Sequence, residues 1–239
     1  MRTDFHSHIL PCVDDGSASV EESLAMLRAL RQQGIRRVVA TPHFYPQSDN
    51  PAAFLKRRNA AMAQLREAMA AEKGLPSIEL GAEVYFFHGI SDCAQLPQLT
   101  IGGKRCILIE MPPSPWSEAM YRELEGIYKK QNLIPILAHI DRYVRPFRTY
   151  GILKRLKTMP VLVQANAEFF LSGKTASFAG RLLRDGYIHL LGSDCHNMTD
   201  RPPNIGPAGE AIRQNCGLGA LRKIENREDM VLQALNHHL

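Results

Sequence analysis

The chain has 239 residues, of which 45% are hydrophobic and 22% charged, and this length excludes a mini-protein that needs disulfide staples. No apolar run approaches the roughly 20 residues that a membrane-spanning helix requires, and the five cysteines are scattered without a CxxC pair, which argues against a disulfide framework. The formal net charge of +5 is modest and dispersed, so charge alone does not predict a nucleic-acid partner.

Short apolar runs alternate with longer amphipathic stretches along the chain, which is the pattern of βα units. The predicted strands cover residues 2–6, 35–40, 77–83, 106–110, 134–139, 161–165 and 188–193. The predicted helices cover residues 19–33, 51–73, 116–131, 145–157, 175–185, 207–216 and 227–236. Ser19 and Glu22 match a capping box and Gly34 matches a C-cap glycine, so both ends of the first helix are marked.

The apolar strands indicate a parallel sheet covered by helices. Residues 38–40 and 107–109 are apolar at successive positions, as in strands buried on both faces. Repeated right-handed crossovers close such a sheet, so we expect an α/β fold, a distorted (β/α)7 barrel. An open doubly wound sheet is the alternative, but no GxGxxG motif follows the first strand. Seven βα units use the whole length, which predicts a single domain over residues 1–239.

Residues that can bind metal lie at the C-terminal end of nearly every predicted strand. They are His6, His8, His43, Glu83, Glu110, His139, Asp194 and His196. The carboxyl ends of parallel barrel strands lie on one face, where barrel enzymes place their active sites, so we expect these side chains to converge. His6 and His8 are two residues apart, as are Asp194 and His196, so the side chains of each pair point to the same face of a strand.

The donor set indicates a catalytic metal site. Nitrogen and oxygen ligands without an obligatory thiolate suit Mn, Fe, Zn or Co. The candidates exceed the needs of one ion, and a structural zinc site commonly includes thiolates. Two or more neighbouring divalent ions favour hydrolysis of a phosphate ester.

Six segments strengthen this interpretation because they occur together and in order. They read FHSHILPCVDDGS, ATPHFYP, GAEVYF, LIEMP, LAHIDRY and GSDCHNMTDRPP. Over residues 2 to about 206 the chain resembles the polymerase-and-histidinol-phosphatase (PHP) superfamily, and within it the capsule-type bacterial tyrosine phosphatases of the CpsB/CapC/YwqE group. The resemblance implies a PHP-type, TIM-like barrel, which agrees with the strand count. It also implies a metal-dependent protein-tyrosine phosphatase that hydrolyses phosphotyrosine by means of a metal-bound hydroxide.

The resemblance implies three divalent ions, manganese in most members of the family, with Fe, Zn or Co compatible with the same donors. The three ligand sets it implies are His6, His8, Glu83 and Asp194; Asp15, His43 and His196; and Glu83, Glu110 and His139, with Glu83 bridging. The choice between Asp14 and Asp15 stays open, and Asp15 is preferred because it directly precedes Gly16. Arg142 and Arg201 match arginines that the family uses near the metals, and their planar donors suit phosphoryl oxygens.

By the same resemblance the substrate is a phosphotyrosine protein, the tail of a bacterial tyrosine autokinase that controls capsule or exopolysaccharide synthesis. The sequence predicts a cytoplasmic protein with no membrane insertion and no nucleic-acid partner, and it leaves oligomerisation open. Phe44, Tyr45 and Trp116 are candidate walls for an aromatic substrate, and His88 could line the mouth of the site.

Two other functions and one other phosphatase mechanism remain as alternatives. A small-molecule phosphomonoesterase of the histidinol-phosphatase type is the first. A non-catalytic metal-bound regulatory or nucleic-acid-binding module is the second. Cys195 and Arg201 also match the CxxxxxR spacing of cysteine-dependent phosphatases, although no glycine lies between them.

Overall fold

The computed structural model describes residues 1–145 and 150–233. Its strands are β1 (Thr3–Ser7), β2 (Arg37–Ala40), β3 (His43–Phe44), β4 (Ser77–Leu80), β5 (Glu83–Tyr85), β6 (Cys106–Glu110), β7 (Ile134–Leu137), β8 (Leu162–Asn166) and β9 (Leu190–Gly192). Its helices are α1 (Val20–Gln32), α2 (Pro51–Met69), α3 (Glu118–Gln131), α4 (Tyr150–Lys157), α5 (Glu168–Leu171), α6 (Ala176–Arg184), α7 (Ile205–Cys216) and α8 (Leu218–Gln233).

The strands form a closed parallel barrel. Hydrogen bonds join the strands into two sheets, in the orders β1-β2-β4 and β3-β5-β6-β7-β8-β9. The two sheets form one wall, because β3 extends β2 and β5 extends β4 after interruptions of two residues. Counting each interrupted pair once gives the predicted seven strands. A parallel bridge between Ser7 and Cys195 joins the last strand to the first, and the backbone N–H of Asp194 donates to the carbonyl of His6 at 2.8 Å. The prediction of a distorted (β/α)7 barrel is confirmed.

The inside of the barrel is apolar at the end where the strands begin. Its buried side chains include Phe5, Val39, Leu108, Ile136 and Leu190, and Val231 and Leu232 of α8 pack against them. A larger apolar layer lies between the strands and the surrounding helices. Full burial of one such side chain contributes about 1.5–3 kcal/mol, so the two layers provide the main driving force for closing the barrel.

Local signals fixed the first helix as predicted. The Ser19 hydroxyl accepts a hydrogen bond from the backbone N–H of Glu22 at 3.1 Å, and the Glu22 carboxylate accepts one from the N–H of Ala18 at 2.8 Å. Gly34 follows the helix with φ of +81°, the left-handed conformation that a glycine adopts without strain. The two interactions satisfy N–H groups that would otherwise have no partner at the start of α1.

Helix boundaries differ from the prediction near the C-terminus. Helix α8 begins at Leu218 rather than at 227, because burial of Leu221 and Ile224 outweighs the turn signal of the two glycines at 217 and 219. The four-residue helix α5 was not predicted, and α2 ends at Met69 rather than at 73. Residues 146–149 and 234–236 of the predicted helices lie outside the described residues. Within those that are described, no helix is both long and apolar enough to cross a membrane.

Candidate metal centre

The nine predicted metal ligands meet where the barrel strands end. Six of them are almost fully buried, namely His6, His8, Glu83, His139, Asp194 and His196. His43 and Glu110 are about one-tenth exposed, and the side chain of Asp15, which lies in the loop after β1, is 66% exposed. Strand alternation explains part of this placement, because Cys106, Leu108 and Glu110 occupy one face of β6 and the first two point into the barrel core.

The first group of ligands comprises His6, His8, Glu83 and Asp194. The Nε2 atoms of the two imidazoles are 3.1 Å apart, and each lies 3.2–3.5 Å from Glu83 Oε2 and from Asp194 Oδ1. Tetrahedral coordination with metal–ligand bonds of about 2.0–2.2 Å places ligand atoms about 3.3–3.6 Å apart. The spacing of this group therefore fits a single bound cation.

Two buried carboxylate oxygens in this group supply an independent test of fit. Glu83 Oε2 and Asp194 Oδ1 accept no hydrogen bond from any residue that the structure describes. An ionised oxygen buried without a partner is strongly unfavourable, unless a cation compensates its charge. Both oxygens face the imidazole nitrogens of His6 and His8, so the residues present fit a metal ion.

The second group surrounds Asp15. Its Oδ1 lies 3.6 Å from His43 Nε2 and 3.5 Å from His196 Nε2, and His8, His43 and His196 all place a donor atom within 4.8 Å of it. Asp14 has a different position, because its Oδ2 contacts His8 Nδ1 at 2.7 Å and accepts the backbone N–H of His43 at 2.8 Å. Asp14 thus orients a histidine whose other nitrogen faces the centre, the arrangement by which carboxylates fix metal-binding imidazoles.

The third group is centred on the two glutamates. His139 Nε2 lies 2.7 Å from Glu83 Oε1 and 3.6 Å from Glu110 Oε1. His43 Nδ1 lies 3.1 Å from Glu83 Oε2 and 3.9 Å from Glu110 Oε2. Glu83 therefore reaches the first group through one oxygen and His139 through the other, which is the geometry that a bridging carboxylate needs.

The charges of these groups support one another. Burial alone would raise the pKa of Glu83, but the charge of His6 and the imidazole of His139 hold that pKa well below its usual value. Burial opposes charge on His8 as well, yet its contacts with Asp14, Asp194 and Glu83 raise the pKa of this imidazole well above its usual value. Glu83 and Asp194 thus stay ionised in the buried site and stabilise positive charge beside them, whereas burial and the charge of Glu83 raise the pKa of Glu110.

His196 is held in the neutral form that a metal ligand requires. Burial, together with the charges of His8 and Arg201, lowers the pKa of His196 to about 4. Its Nδ1 lies 2.9 Å from the backbone carbonyl of Asp194, which leaves Nε2 facing Asp15. Neutral imidazole with one nitrogen held by a carbonyl is the form in which histidine coordinates metals.

Two candidate ligands adopt left-handed backbone conformations. His139 has φ of 32° and Asp194 has φ of 55°, values that are uncommon for residues other than glycine. On β7, Leu137 packs in the outer apolar layer and Ala138 in the barrel interior, so regular alternation would turn residue 139 outward. The left-handed turn instead brings the His139 imidazole to Glu83, an example of backbone strain at a functional position.

Both predicted arginines front the opening of the site. Nη2 of Arg142 donates to Asp194 Oδ2 at 2.8 Å, and Nη2 of Arg201 forms an ion pair with the same oxygen at 2.7 Å. Nη1 of Arg142 also approaches Glu110 Oε1 at 3.3 Å, and Nη1 of Arg201 lies 2.8 Å from His196 Nε2. The side chains are 41% and 39% exposed, so an anion arriving from solvent can reach both guanidinium groups.

Sequence reasoning missed the polar end of β8. Gln164 Oε1 accepts the backbone N–H of His139 at 2.6 Å and lies 3.3 Å from His6 Nδ1. Asn166 Nδ2 donates to Asp194 Oδ2 at 2.9 Å. The available signal was the sequence Gln164-Ala165-Asn166 at the end of a predicted strand, where the other strands carry metal-capable residues. Amides are not typical transition-metal ligands, yet here they orient the ligands.

The remaining side chains considered from sequence take other positions. Cys195 is fully buried in the outer apolar layer, where burial and the charge of Asp4 raise the pKa of its thiol well above the usual value, which disfavours a thiolate nucleophile. Phe44 is buried against Phe54 and forms no wall. Tyr45 is 40% exposed and its ring stacks on His43, with centroids 5.0 Å apart. His88 is exposed and belongs to none of the ligand groups found among the described residues.

Trp116 packs edge-on against Tyr143, whose ring in turn lies 5.7 Å from that of His139. The hydroxyl of Tyr143 donates to the carbonyl of Met111 at 2.6 Å. Trp116 thus supports the edge of the site through Tyr143.

Comparison with known proteins gives one family and several relatives. A family model described as capsular polysaccharide synthesis, CpsB/CapC, matches residues 2–232. Tyrosine-protein phosphatase CpsB of Streptococcus agalactiae is 26% identical over 249 aligned positions, which cover 99% of each chain. Tyrosine-protein phosphatase YwqE of Bacillus subtilis is 29% identical over 208 positions, which cover 83% of this chain and 78% of the relative.

Solved structures show the same fold. One chain from the crystal structures of YwqE from Bacillus subtilis and CpsB from Streptococcus pneumoniae, described as unique metal-dependent tyrosine phosphatases, superposes with a TM-score of 0.86 at 23% identity. The superposition covers 99% of this chain and 96% of that chain. A lactonase from Listeria monocytogenes superposes with a TM-score of 0.61 at 13% identity, so the barrel itself does not select one reaction.

Proposed function

The chain belongs to the CpsB/CapC family, and from this premise we propose that it is a metal-dependent protein-tyrosine phosphatase acting in capsule or exopolysaccharide synthesis. The observation that carries the proposal is the convergence of imidazoles with two unpartnered buried carboxylate oxygens, Glu83 Oε2 and Asp194 Oδ1, beneath two exposed arginines. Relatives aligned along almost the whole chain are named tyrosine-protein phosphatases.

We propose that the site binds three divalent ions, manganese in the first place, with iron, zinc or cobalt compatible with the same donors. The proposed ligands are His6, His8, Asp15, His43, Glu83, Glu110, His139, Asp194 and His196. Ions bound to such a set lower the pKa of coordinated water and place positive charge beside phosphoryl oxygens. Asp15 is proposed as the ligand and Asp14 as the residue that orients His8, because only Asp15 faces the nitrogens of both His43 and His196.

The chain's own residues then bind and orient the phosphoryl group. Arg142 and Arg201 approach the site from two sides and share Asp194 Oδ2, so a phosphoryl group between them can accept hydrogen bonds from both guanidinium planes. Donors held in place before the reaction stabilise the charge that develops at phosphorus. The leaving phenolate is a fairly good leaving group, which lessens the need for a strong general acid.

We propose a phosphotyrosine side chain as the group that enters, presented by a bacterial tyrosine autokinase tail in the cytoplasm to a single domain spanning residues 1–239. Tyr45 is the proposed wall for the substrate ring, because it is exposed and already stacked on the His43 imidazole. A histidinol-phosphatase type of activity is not favoured, since the named relatives are tyrosine phosphatases. Turnover of a phosphotyrosine peptide and of histidinol phosphate, measured side by side, separates the two activities.

The decisive experiment removes the metal and the rival nucleophile in turn. Chelation with EDTA should abolish hydrolysis of a phosphotyrosine peptide, and Mn²⁺ added back should restore it. Cys195→Ser and Cys195→Ala should each retain most of the activity, because the thiol is buried away from the site. Activity that survives chelation but is lost in both folded cysteine variants would refute the proposal.

A further inference from the structure

A second cavity lies at the opposite end of the barrel, where the strands begin. It has a volume of about 390 Å³ and is enclosed by the end of α6, the segment before β9, and one side of α8. Its apolar floor is formed by Leu183, Ile188 and Ile224. We refer to this cavity as the amino-end cleft, and its size falls within the range of about 300–1,000 Å³ that is typical of small-molecule sites.

The rim of the amino-end cleft is cationic. Arg184, Lys223 and Arg227 line it, and no carboxylate does so in the part of the chain that the structure describes. The positive charge of Arg227 acts on His189, which also lines the cleft: burial and this charge together lower the pKa of His189. Lys223 and Arg227 form no ion pair with any described residue, and Arg184 reaches only the carbonyl of Asn215 and the sulfur of Cys216, at 3.4 and 3.5 Å.

His189 adds a directed donor to these charges. Its Nδ1 accepts the backbone N–H of Val163 at 3.0 Å, and burial together with Arg227 lowers its pKa to about 4. The ring is therefore neutral at pH 7 with its proton on Nε2. Since His189 lines the amino-end cleft, that N–H can serve a ligand as a neutral donor, without a positive charge that would repel Arg227.

A smaller cavity of about 160 Å³ continues the amino-end cleft toward α4. The two cavities share Gly186, His189 and Arg227. The smaller one is lined by Leu153, Met159 and other apolar side chains and by Tyr187, over whose ring the Lys157 ammonium lies at 4.8 Å. A ligand spanning both would have an apolar or aromatic body and an anionic group beside the shared Arg227.

We propose that the amino-end cleft binds a small amphipathic polyanion of the nucleoside diphosphate class. A diphosphate carries about three negative charges near neutral pH, because its terminal group has a pKa of about 6, and the rim offers three cations. The base and ribose supply the body that the apolar floor and Tyr187 can cover. This ligand site is separate from the metal centre, which lies at the other end of the strands.

The test uses the full chain and measures ADP binding by isothermal titration calorimetry. We expect saturable binding that weakens with added salt, and we expect inorganic diphosphate to bind more weakly, because it lacks the apolar body. Arg227→Ala should lower the affinity for ADP at least tenfold. Arg222→Ala removes the same charge from the same helix outside the amino-end cleft and should leave the affinity unchanged.

A second variant fills the cavity without removing a charge. A Cβ built at Gly219 meets no atom within 4 Å, so Gly219→Leu can project into the amino-end cleft and should block ADP. Gly173→Leu, at another open glycine, is the matched control. The proposal is overturned if ADP does not bind below 1 mM, if Arg222→Ala weakens binding as much as Arg227→Ala, or if Arg201→Ala abolishes it. The last result would assign the nucleotide to the metal centre.

Discussion

The two ends of the barrel handle charge in opposite ways. At the end where the strands finish, imidazoles and carboxylates are buried together at distances of 2.7–3.9 Å, and Glu83 and Asp194 still have oxygens without a partner. At the other end, Arg184, Lys223 and Arg227 line a cavity with an apolar floor, and no carboxylate among the described residues lines it with them. The first end thus suits the proposed cations and the second suits the proposed anion.

This arrangement would let one scaffold hold the metal centre and the proposed ligand site without cross-reaction. The apolar interior formed by Phe5, Leu108, Ile136 and Leu190 lies between them. Polar groups therefore reach the metal centre only from the strand ends, and the cations of the amino-end cleft stay on the outside of the barrel. Changes at one end should leave the other intact, which the following variants can test.

The largest effect should come from Glu83, the carboxylate that contacts imidazoles of all three ligand groups. Glu83→Gln removes a negative charge that faces His6, His8, His43 and His139, so phosphatase activity should fall about 10³-fold or more, in line with the several kcal/mol that a catalytic metal supplies. Steady-state kinetics with a phosphotyrosine peptide measure this. Glu210→Gln, on the exposed face of α7, is the control and should behave as wild type. Full activity in Glu83→Gln would remove the basis for a bridged centre.

A smaller loss is expected at the mouth of the same site. Arg201→Ala should reduce kcat/KM about 10²–10³-fold, because a positioned donor to the transition state is lost while the metal ligands remain. Arg201→Lys should recover only part of this, since an ammonium cannot reproduce the planar fork of donors that a guanidinium offers to phosphoryl oxygens. Arg213→Ala, which breaks only an exposed pair with Glu210, serves as the control. An unchanged kcat/KM in Arg201→Ala would mean that the phosphoryl group is held elsewhere.

Gln164 should affect the metal centre through its ligands. Gln164→Leu removes the acceptor shared by the His139 backbone and the His6 imidazole, so Mn²⁺ affinity should fall about 10–100-fold, as for other residues that orient ligands. Activity at saturating Mn²⁺ should recover substantially, which a purely structural defect would not allow. Metal titrations of Gln164→Leu and of the exposed control Gln214→Leu distinguish these outcomes.

The smallest effect belongs to the amino-end cleft and concerns stability. The pKa of His189 is about 4 in the folded chain against 6.5 for the free side chain, so the unfolded chain binds more protons between these values. Stability should therefore fall as pH falls from 6.5 toward 4 and be unaffected by this group above 6.5. Between pH 7.5 and 5 the wild type should lose about 1–2 kcal/mol more unfolding free energy than His189→Gln.

Denaturant unfolding at the two pH values gives the measurement. The exposed loop variant His88→Gln is the control and should follow the wild type. Equal losses in the wild type and in His189→Gln would show that His189 is not the group that titrates.

The sequence sufficed for the parts of the molecule that depend on local pattern. Apolar runs located all seven barrel strands, and a position at or just after the C-terminal end of a strand brought His6, Glu110 and Asp194 to one face. The capping signals of α1 were read correctly because they lie within a few residues of each other. The sequence did not decide between Asp14 and Asp15 as the ligand. It also did not show whether Phe44 lies in the core or forms a wall of the site, since both outcomes depend on contacts between distant segments.

Other features required the assembled barrel. Pro42 and Gly81 mark the interruptions that divide β2 from β3 and β4 from β5, but they do not show that each strand resumes two residues later. His139 reaches Glu83 through a left-handed turn that strand alternation does not predict. Leu218 begins a helix despite flanking glycines, because Leu221 and Ile224 gain burial against the rest of the chain. In each case a tertiary interaction outweighs the local preference.

The contact between β1 and the end of β9, which we call the seam, also determines when during synthesis the site can form. Asp4 accepts hydrogen bonds from the backbone N–H and hydroxyl of Ser193, 189 residues later in the chain, and the seam carries His6 and His8 on one side and Asp194 and His196 on the other. At about 5–20 residues per second, a ribosome makes the second half of this ligand set roughly 10–40 s after the first. A nascent chain thus contains His6 and His8 long before Asp194 has been synthesised to complete the ligand group with them. We therefore expect this ligand group to bind metal only after synthesis is complete and the last strand has left the ribosome.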